Sequence, residues 1–329
     1  MFIEKTYRQD TLDLANTTTF NLSHNRTIFD YLKKTSFPIS DNKIFTTKLK
    51  KHIAKYDYFI AIDFLALDIL SKLHIQPKKI IYISLEGIDY LEKFDKQYAL
   101  LLLKKTKVNI IQNKERAIDI CNYLDAKINF KYIPVSLRPT NIKKKMNKKT
   151  NKVKLIYSGY FAPWALLGEF LCAYKKSKID QDCILKLQGH ALGTSSYLNK
   201  LKQQISALSS TTIDTSYYND QAHMNLISQY DIGIALYDEN EGSNFKNLLN
   251  SSGKIASYLW NGLAVMTNIK HEMTLKPPFL YVEDLDSCNI STLIKKYQNS
   301  KERYISAAYA LAKKSYNFDH YLKTIIKYF

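Results

Sequence analysis

Asn250-Ser-Ser-Gly-Lys-Ile-Ala-Ser-Tyr-Leu-Trp-Asn-Gly-Leu-Ala-Val-Met-Thr-Asn268 reads as a polar loop, a short helix and an apolar strand in succession. The loop centres on Ser251, Ser252 and Gly253, and the pattern predicts a helix from about Lys254 to Asn261 and a strand from Leu263 to Thr267. Ile255, Tyr258 and Leu259 have the i, i+3, i+4 spacing that turns one helix face inward, and Gly262 is suited to end that helix. Free amides at a helix start favour an anion, and Gly253 lets another group approach the backbone closely. Lys254 stands beside those donors, so the arrangement is suited to holding a phosphate. A helix and strand of any α/β core, with Lys254 solvated, has the same local pattern, and the neighbouring segments must decide.

Upstream of this stretch, Val153 to Tyr157 is a predicted strand, Ser158-Gly159-Tyr160 a tight turn, and Pro163 opens a helix whose Leu167, Phe170, Leu171 and Tyr174 share one face. Strand Cys183 to Leu187 ends in Gln188-Gly189-His190, and a helix spans Ser195 to Leu208. A short strand, Thr211 to Thr215, leads to Tyr217 and Tyr218, followed by a helix from about Asp220 to Tyr230 and strand Ile232 to Tyr237. Downstream come strand Phe279 to Val282, a helical region Ile290 to Lys314, and an aromatic, basic close from Tyr321 to Phe329.

The first half has a similar rhythm. Strands are predicted at Tyr58–Ile62, Lys79–Ser84, Val108–Gln112 and Lys131–Val135, with helices at Leu65–Leu73, through Tyr98 to Lys105, and from Lys114 to Leu124 capped by Asn113. Before them, Tyr7 to Leu14 reads as a helix and Thr18 to Leu22 as a strand, with no visible opening strand and Gly-rich turn. Alternating strands and helices imply parallel sheets covered on both faces. The expected fold is α/β, with two Rossmann-like doubly wound domains facing across a cleft. Residues 1–140 form the first, 141–152 a basic linker, 153–315 the second, and 316–329 a C-terminal segment packing back on the first domain.

At 329 residues the chain suits two domains, and 46% apolar with 24% charged residues is a globular composition. Short apolar runs interrupted by charge predict no transmembrane helix, and the start lacks an export signal core. Cys121, Cys172, Cys183 and Cys288 are far apart, which fits buried reduced thiols in a cytoplasmic protein, and no metal-spaced pair is present. The net charge of +18 is uneven: residues 1–150 carry 28 Lys+Arg against 15 Asp+Glu, whereas residues 151–329 carry 20 against 15. The first half is therefore expected to be drawn to polyanions, either an anionic membrane surface or nucleic acid. The second is disfavoured because the basic run lacks interleaved aromatics.

Four segments in order, Leu155-Ile-Tyr-Ser-Gly159 with Trp164, Leu187-Gln-Gly189, Tyr230 to Tyr237, and Ser252 to Thr267, resemble the nucleotide-sugar domain of GT-B fold glycosyltransferases. The resemblance is to the bacterial surface-polysaccharide enzymes of the family 4, group 1 type. In the first half, Tyr56 to Asp63 and Ile81 to Glu86 look like two strand ends of that family, with Ile62 and Leu85 where relatives often have His. Residues 1–55 show no match.

The resemblance implies a metal-independent, hexosyltransferase-type enzyme without a cofactor. It would move sugar from a nucleoside diphosphate sugar, held by the second domain, to a glycan, lipid-linked or lipopolysaccharide-type acceptor held by the first. Ser251, Ser252, Gly253 and Lys254 would meet the diphosphate, Gly159 would let the donor or acceptor approach, and His190, Tyr217 and Tyr218 would contact sugar and base. Glu86 is the candidate acceptor base, whereas Asp63 is expected to bond amides, and Asp284-Leu-Asp286 to make a turn and helix cap. Ser257 stands where many retaining relatives carry the second Glu of a pair, and Leu249 where they carry the first. Phe161-Ala-Pro-Trp164 replaces a stretch that often carries Arg or Lys. The basic first domain, through Lys33, Lys34, Lys48, Lys50, Lys51, Lys78, Lys79, Lys104, Lys105 and Lys107, would dock peripherally on the inner membrane face. Two other readings remain: a GT-B-fold nucleotide-sugar epimerase or hydrolase, and a non-catalytic basic binding protein.

Overall fold

The structure, a computed structural model, describes residues 2–4, 19–21, 56–138, 152–190, 196–245 and 248–328. The expected helix Tyr7–Leu14, most of the basic run 141–152, and Lys33, Lys34, Lys48, Lys50 and Lys51 lie outside them. The chain divides into two compact units, one of Met1–Pro134 with Leu322–Phe329, the other of Val135–Tyr321.

In the first unit the elements run β1 (Phe2–Glu4), β2 (Thr19–Asn21), β3 (Phe59–Ile62), α1 (Asp63–Lys72), β4 (Ile80–Ser84), α2 (Ile88–Leu91), α3 (Lys96–Lys105), β5 (Val108–Ile111), α4 (Lys114–Leu124) and β6 (Phe130–Tyr132). The strands pair in parallel in the order β2-β1-β3-β4-β5-β6, so strand order reverses between β1 and β3. Near-continuous apolar runs such as Ile80-Ile-Tyr-Ile83 fit strands covered on both faces. Asn113 caps α4 by accepting the Arg116 amide at 2.9 Å, as its position before the helix predicts. Near the chain's end, Ile325 and Tyr328 pack on Ile60, Ile81, Val108 and Ile110.

The second unit contains β7 (Val153–Tyr160), α5 (Leu167–Lys176), β8 (Cys183–His190), α6 (Ser196–Ile205), β9 (Thr211–Asp214), α7 (Asp220–Ile227), β10 (Ile232–Ile234), α8 (Gly253–Trp260), β11 (Ala264–Thr267), β12 (Phe279–Tyr281), α9 (Ser287–Gln298) and α10 (Lys301–Ser315). A last helix, α11, spans Phe318–Ile326. The parallel order β12-β11-β10-β7-β8-β9 is that of a dinucleotide-binding sheet, with its reversal between β7 and β10. Leu155, Tyr157, Phe170, Tyr174 and Leu185 fill one face, and Ile156, Ala235, Ile255, Tyr258, Leu259 and Val265 the other. Each buried branched or aromatic side chain of this kind contributes roughly 1.5–3 kcal/mol.

Four sequence expectations change. Ser158-Gly159-Tyr160 is not a turn: β7 continues through it, because β8 runs alongside to His190 and pairs Gly159 with Gly189 and Tyr160 with His190. Pro163 opens a single 3-10 turn, and Leu166, at φ 49°, redirects the chain before α5 begins. The region Ile290–Lys314 is two helices, parted at Asn299 and Ser300. The four thiols are free, but only Cys183 is buried, while Cys172 and Cys288 are exposed on helices.

Candidate functional site

In doubly wound sheets ligands lie outside the carboxyl ends of the strands where their order reverses. In the second unit that point falls at the ends of β7 and β10. There β7 and β10 are joined by Tyr258 of α8, whose hydroxyl accepts from the Ser158 amide at 2.9 Å and donates to the Ile234 carbonyl at 3.3 Å. The Tyr258 ring lies against Gly233, where an added Cβ would stand 2.3 Å from it. This fixes the start of α8 beside the strand ends.

At that start Ser252 is the N-cap, its Oγ receiving the Ile255 amide at 3.4 Å and sharing a 2.6 Å hydrogen bond with the Tyr237 hydroxyl. Gly253 is exposed, and among the described residues a Cβ there would meet only Val135 Cγ1 at 4.0 Å. Lys254 follows. Its Nζ is buried over three ring faces, 4.5 Å from the Tyr157 centroid, 4.6 Å from Tyr237 and 5.2 Å from Trp164. Phe245 stacks on Trp164 at 4.9 Å. Among the described residues no hydrogen-bond acceptor reaches the amine. Ring quadrupoles stabilise an ammonium by roughly 0.5–2 kcal/mol each but satisfy none of its donors. Burial pulls Lys254 down from 10.5 to about 7. A buried cation lacking an acceptor, beside the amides of a helix start, favours an anion.

Gly159 makes room for this side chain: a Cβ at Gly159 would stand 3.2 Å from Lys254 Cδ and 3.1 Å from the Tyr157 hydroxyl. Gly189, at φ +156°, faces it so closely that a Cβ would fall 1.7 Å from the Gly159 carbonyl oxygen. At the ends of β8 and β9 the exposed His190 and Tyr217 rings stack at 6.4 Å, forming an open aromatic ledge. Tyr218 is turned to a neighbour, donating to Asp214 at 2.7 Å, and Asp214 also pairs with Lys186 at 2.8 Å. Ser251 precedes the cap, and Ser257, half-buried in α8, offers its carbonyl to the Asn261 side chain at 2.8 Å. Leu249 is buried and carries no chemistry. Thus Gly159, Gly253 and Lys254 converge at the strand-order reversal, with Ser252 as their scaffold.

In the first unit, Glu86 is exposed on the loop after β4. That loop is pinned by Asp63, whose Oδ1 receives the amides of Leu85 at 2.7 Å and Glu86 at 3.0 Å, and by Arg116, which donates to the Leu85 carbonyl at 2.7 Å. Burial raises Asp63 from 3.8 to about 6, against the pull of the two amides. The acidic pair Asp284 and Asp286 makes a turn and caps α9, accepting from Asn289. Among the described residues no His, Cys, Asp and Glu group is placed to hold a metal.

No family model matches the chain and no curated protein matches it. Solved structures do resemble it. Anabaena HepE in complex with UDP and glucose aligns with TM-score 0.67 at 15% identity over 91% of this chain and 88% of that one. The UDP-forming α,α-trehalose-phosphate synthase of Burkholderia xenovorans, in complex with glucose-6-phosphate, aligns with TM-score 0.66 at 9% identity over 92% and 78%. An E. coli trehalose-6-phosphate structure bound with UDP-2-fluoro glucose gives 0.63 at 11% over 92% and 78%.

The fold is GT-B.

At these identities the likeness is one of fold, and this chain's own residues must carry the chemistry. The sequence pattern singles out Lys254 and its loop but not the rings packed around it. Trp164 and Tyr237 each sit just beyond a strand end, whereas the sequence pattern predicts a strand that runs on to Tyr237; Tyr157 lies inside β7. Asp63 does bond amides, but they belong to residues 22 and 23 positions away, beyond the reach of a local pattern.

Proposed function

We propose that the chain is a glycosyltransferase that takes its sugar from a nucleoside diphosphate sugar bound at the start of α8. The observation that carries this is the Lys254 ammonium, buried without an acceptor among the described residues, beside the exposed amide end of a helix at the β7/β10 reversal. Lys254 would meet the diphosphate, whose charge grows as the glycosidic bond breaks. Gly253 would leave the phosphate oxygens room, Ser251 and Ser252 would shape the loop, and the His190–Tyr217 ledge would stack against base or sugar. Tyr218 and Ser257 would act in support. The ligands of the solved relatives, UDP with glucose and UDP-2-fluoro glucose, favour a uridine donor carrying a hexose. In this reading the positive charge at the diphosphate comes from the protein, with neither metal nor cofactor required.

The acceptor would be a glycan, lipid-linked or lipopolysaccharide-type molecule, presented to the first unit at the inner face of a membrane. Lys78 and Lys79 precede β4, and Lys104, Lys105 and Lys107 precede β5, its sheet neighbour. All five therefore lie at the amino-terminal edge of the first sheet, away from the strand ends that carry Asp63 and Glu86. Such an edge is suited to an anionic lipid surface at about 1 kcal/mol per basic residue. No helix among the described residues is long and apolar enough to cross a membrane.

Incubation with isotope-labelled UDP-, GDP-, CDP- and dTDP-sugars and a membrane glycolipid extract tests the reading. Transfer of label to lipid or glycan is expected. Free sugar alone would mark a hydrolase, interconverted donor an epimerase, and no consumption of any donor would contradict the assignment.

A further inference from the structure

The Lys254 amine is not only unpaired among the described residues but also covered: its Nζ is buried while the residue as a whole is half-buried, so the stem runs inward from the exposed start of α8. A phosphate oxygen accepts from an ammonium at about 2.8 Å. The space around Nζ is instead lined by ring faces whose centroids lie at 4.5, 4.6 and 5.2 Å. Some part of this cage has to move before an anion can enter, and its three walls are not equally fixed. Tyr157 is fully buried in β7, and its hydroxyl donates to the Tyr160 carbonyl. Tyr237 is buried, its hydroxyl is bonded to Ser252 Oγ, and its backbone is clamped by Asn268, which accepts from the amide at 3.0 Å and donates to the carbonyl at 2.7 Å. Trp164 is half-buried, and its indole makes no hydrogen bond among the described residues. It is held by its faces, stacked on Phe245 at 4.9 Å and parallel to Tyr237 at 6.3 Å. Its backbone belongs to the 3-10 turn Pro163–Ala165, closed by Leu166 in the left-handed region at φ 49°. Non-glycine residues enforced in that region collect at switch segments. Phe245 ends a second short turn, Ser243–Phe245, and is half-buried as well.

We infer that Trp164, buttressed by Phe245, is a gate: it is closed over the Lys254 ammonium in the free protein, swings aside when a nucleoside diphosphate binds at the start of α8, and closes again when the nucleotide leaves. This rests on the donor reading above and adds a moving part to that site. Swinging Trp164 out forfeits one cation–π contact and one ring stack. Withdrawing Lys254 instead would forfeit all three cation–π contacts and leave a hole lined by rings, and moving Tyr157 or Tyr237 would break hydrogen bonds in addition. Trp164 is therefore the wall that yields at least cost. An arriving diphosphate offsets the opening by supplying acceptors for the ammonium donors and a charge of opposite sign. A ligand without an anion at this point has no differential affinity for the open state and leaves the gate shut.

Tryptophan fluorescence reads the gate directly, because the chain has two tryptophans and Trp260→Phe leaves Trp164 as the sole indole. If that variant fails to fold, the difference between wild type and Trp164→Phe isolates the same signal. Acrylamide quenching is measured with and without saturating UDP, or whichever of GDP, CDP and dTDP binds in its place, and affinity is measured by calorimetry for wild type and Phe245→Ala. Quenching of Trp164 is expected to rise roughly threefold when the nucleotide is bound, and uridine, which brings no phosphate, leaves it unchanged. Phe245→Ala removes the buttress and keeps all three rings of the cage, so it is expected to bind the nucleotide roughly threefold or more tightly, since apparent affinity rises with the open fraction. A Phe245 that merely supported the site would give weaker binding in the same variant. Unchanged quenching in the nucleotide-saturated protein, the result of a Lys254 that leaves a rigid cage, overturns the inference. So does an equal rise with uridine, or equal or weaker binding by Phe245→Ala. With calorimetry showing nucleotide bound, those results remove the gate and leave the donor site standing; binding of no nucleoside diphosphate to the wild type overturns both.

Discussion

Lys254 is a cation that folding has taken out of water without an acceptor among the described residues, and its stability consequence has a definite sign. With a folded value near 7 against 10.5 in the unfolded chain, the unfolded state binds more protons between those values. Stability therefore rises with pH across that window, and at neutral pH the buried amine is a cost that the three ring faces offset in part. Lys254→Met is expected to fold with an unchanged or raised Tm at pH 7, and the wild-type Tm should rise relative to it from pH 7 to 9.5. Asp63 has the opposite sense. Its folded value, raised to about 6, gives stability that is fully present below 3.8 and lost as pH rises through 6. Melts of Asp63→Asn should exceed wild type above pH 6 and lose that margin below pH 4. Lys254 was legible in sequence because a helix start is a local pattern. Its cage was not, since Tyr157, Trp164 and Tyr237 converge only once β7 and β10 are neighbours.

At the scale of elements, the hydrophobic runs located most strands, while the glycines misled. Gly159 and Gly189 look like turn punctuation, yet both lie within paired strands, where each removes a side chain that the opposite backbone would strike. Gly189→Ala combines a φ of +156° with a Cβ 1.7 Å from a backbone oxygen, so it should destabilise by roughly 1–3 kcal/mol or more, measurable by chemical denaturation. Gly159→Ala meets side-chain atoms at 3.1 and 3.2 Å, which can shift. It should cost less stability but displace Lys254, weakening nucleotide binding. Equal destabilisation by the two substitutions would contradict this account of the strand pair. The cap at Asn113 and the helix it starts were readable to the residue, because the cap bond spans three positions.

For the whole molecule, alternating strands and helices in two halves predicted two doubly wound sheets, and both are present with parallel order and one reversal each. Their boundaries depend on contacts distant in sequence: the units divide at Pro134 and Val135, and Leu322–Phe329, from the segment expected to pack back on the first domain, is grouped with the first unit. Charge is also a property at this scale. Replacing Lys78, Lys104 and Lys105 with Glu should abolish co-sedimentation with anionic vesicles while leaving nucleotide binding intact; equal wild-type binding to neutral and anionic vesicles would refute the membrane proposal. The central claim concerns the second unit and its unpaired ammonium. Calorimetric titration of nucleoside diphosphates into wild type and Lys254→Met tests it most directly. The account predicts that wild type binds one of them, UDP foremost, and that the folded variant binds it at least tenfold more weakly, a loss of about 1.4 kcal/mol. Equal affinity in the two proteins, or no binding of any nucleoside diphosphate to the wild type, would contradict it.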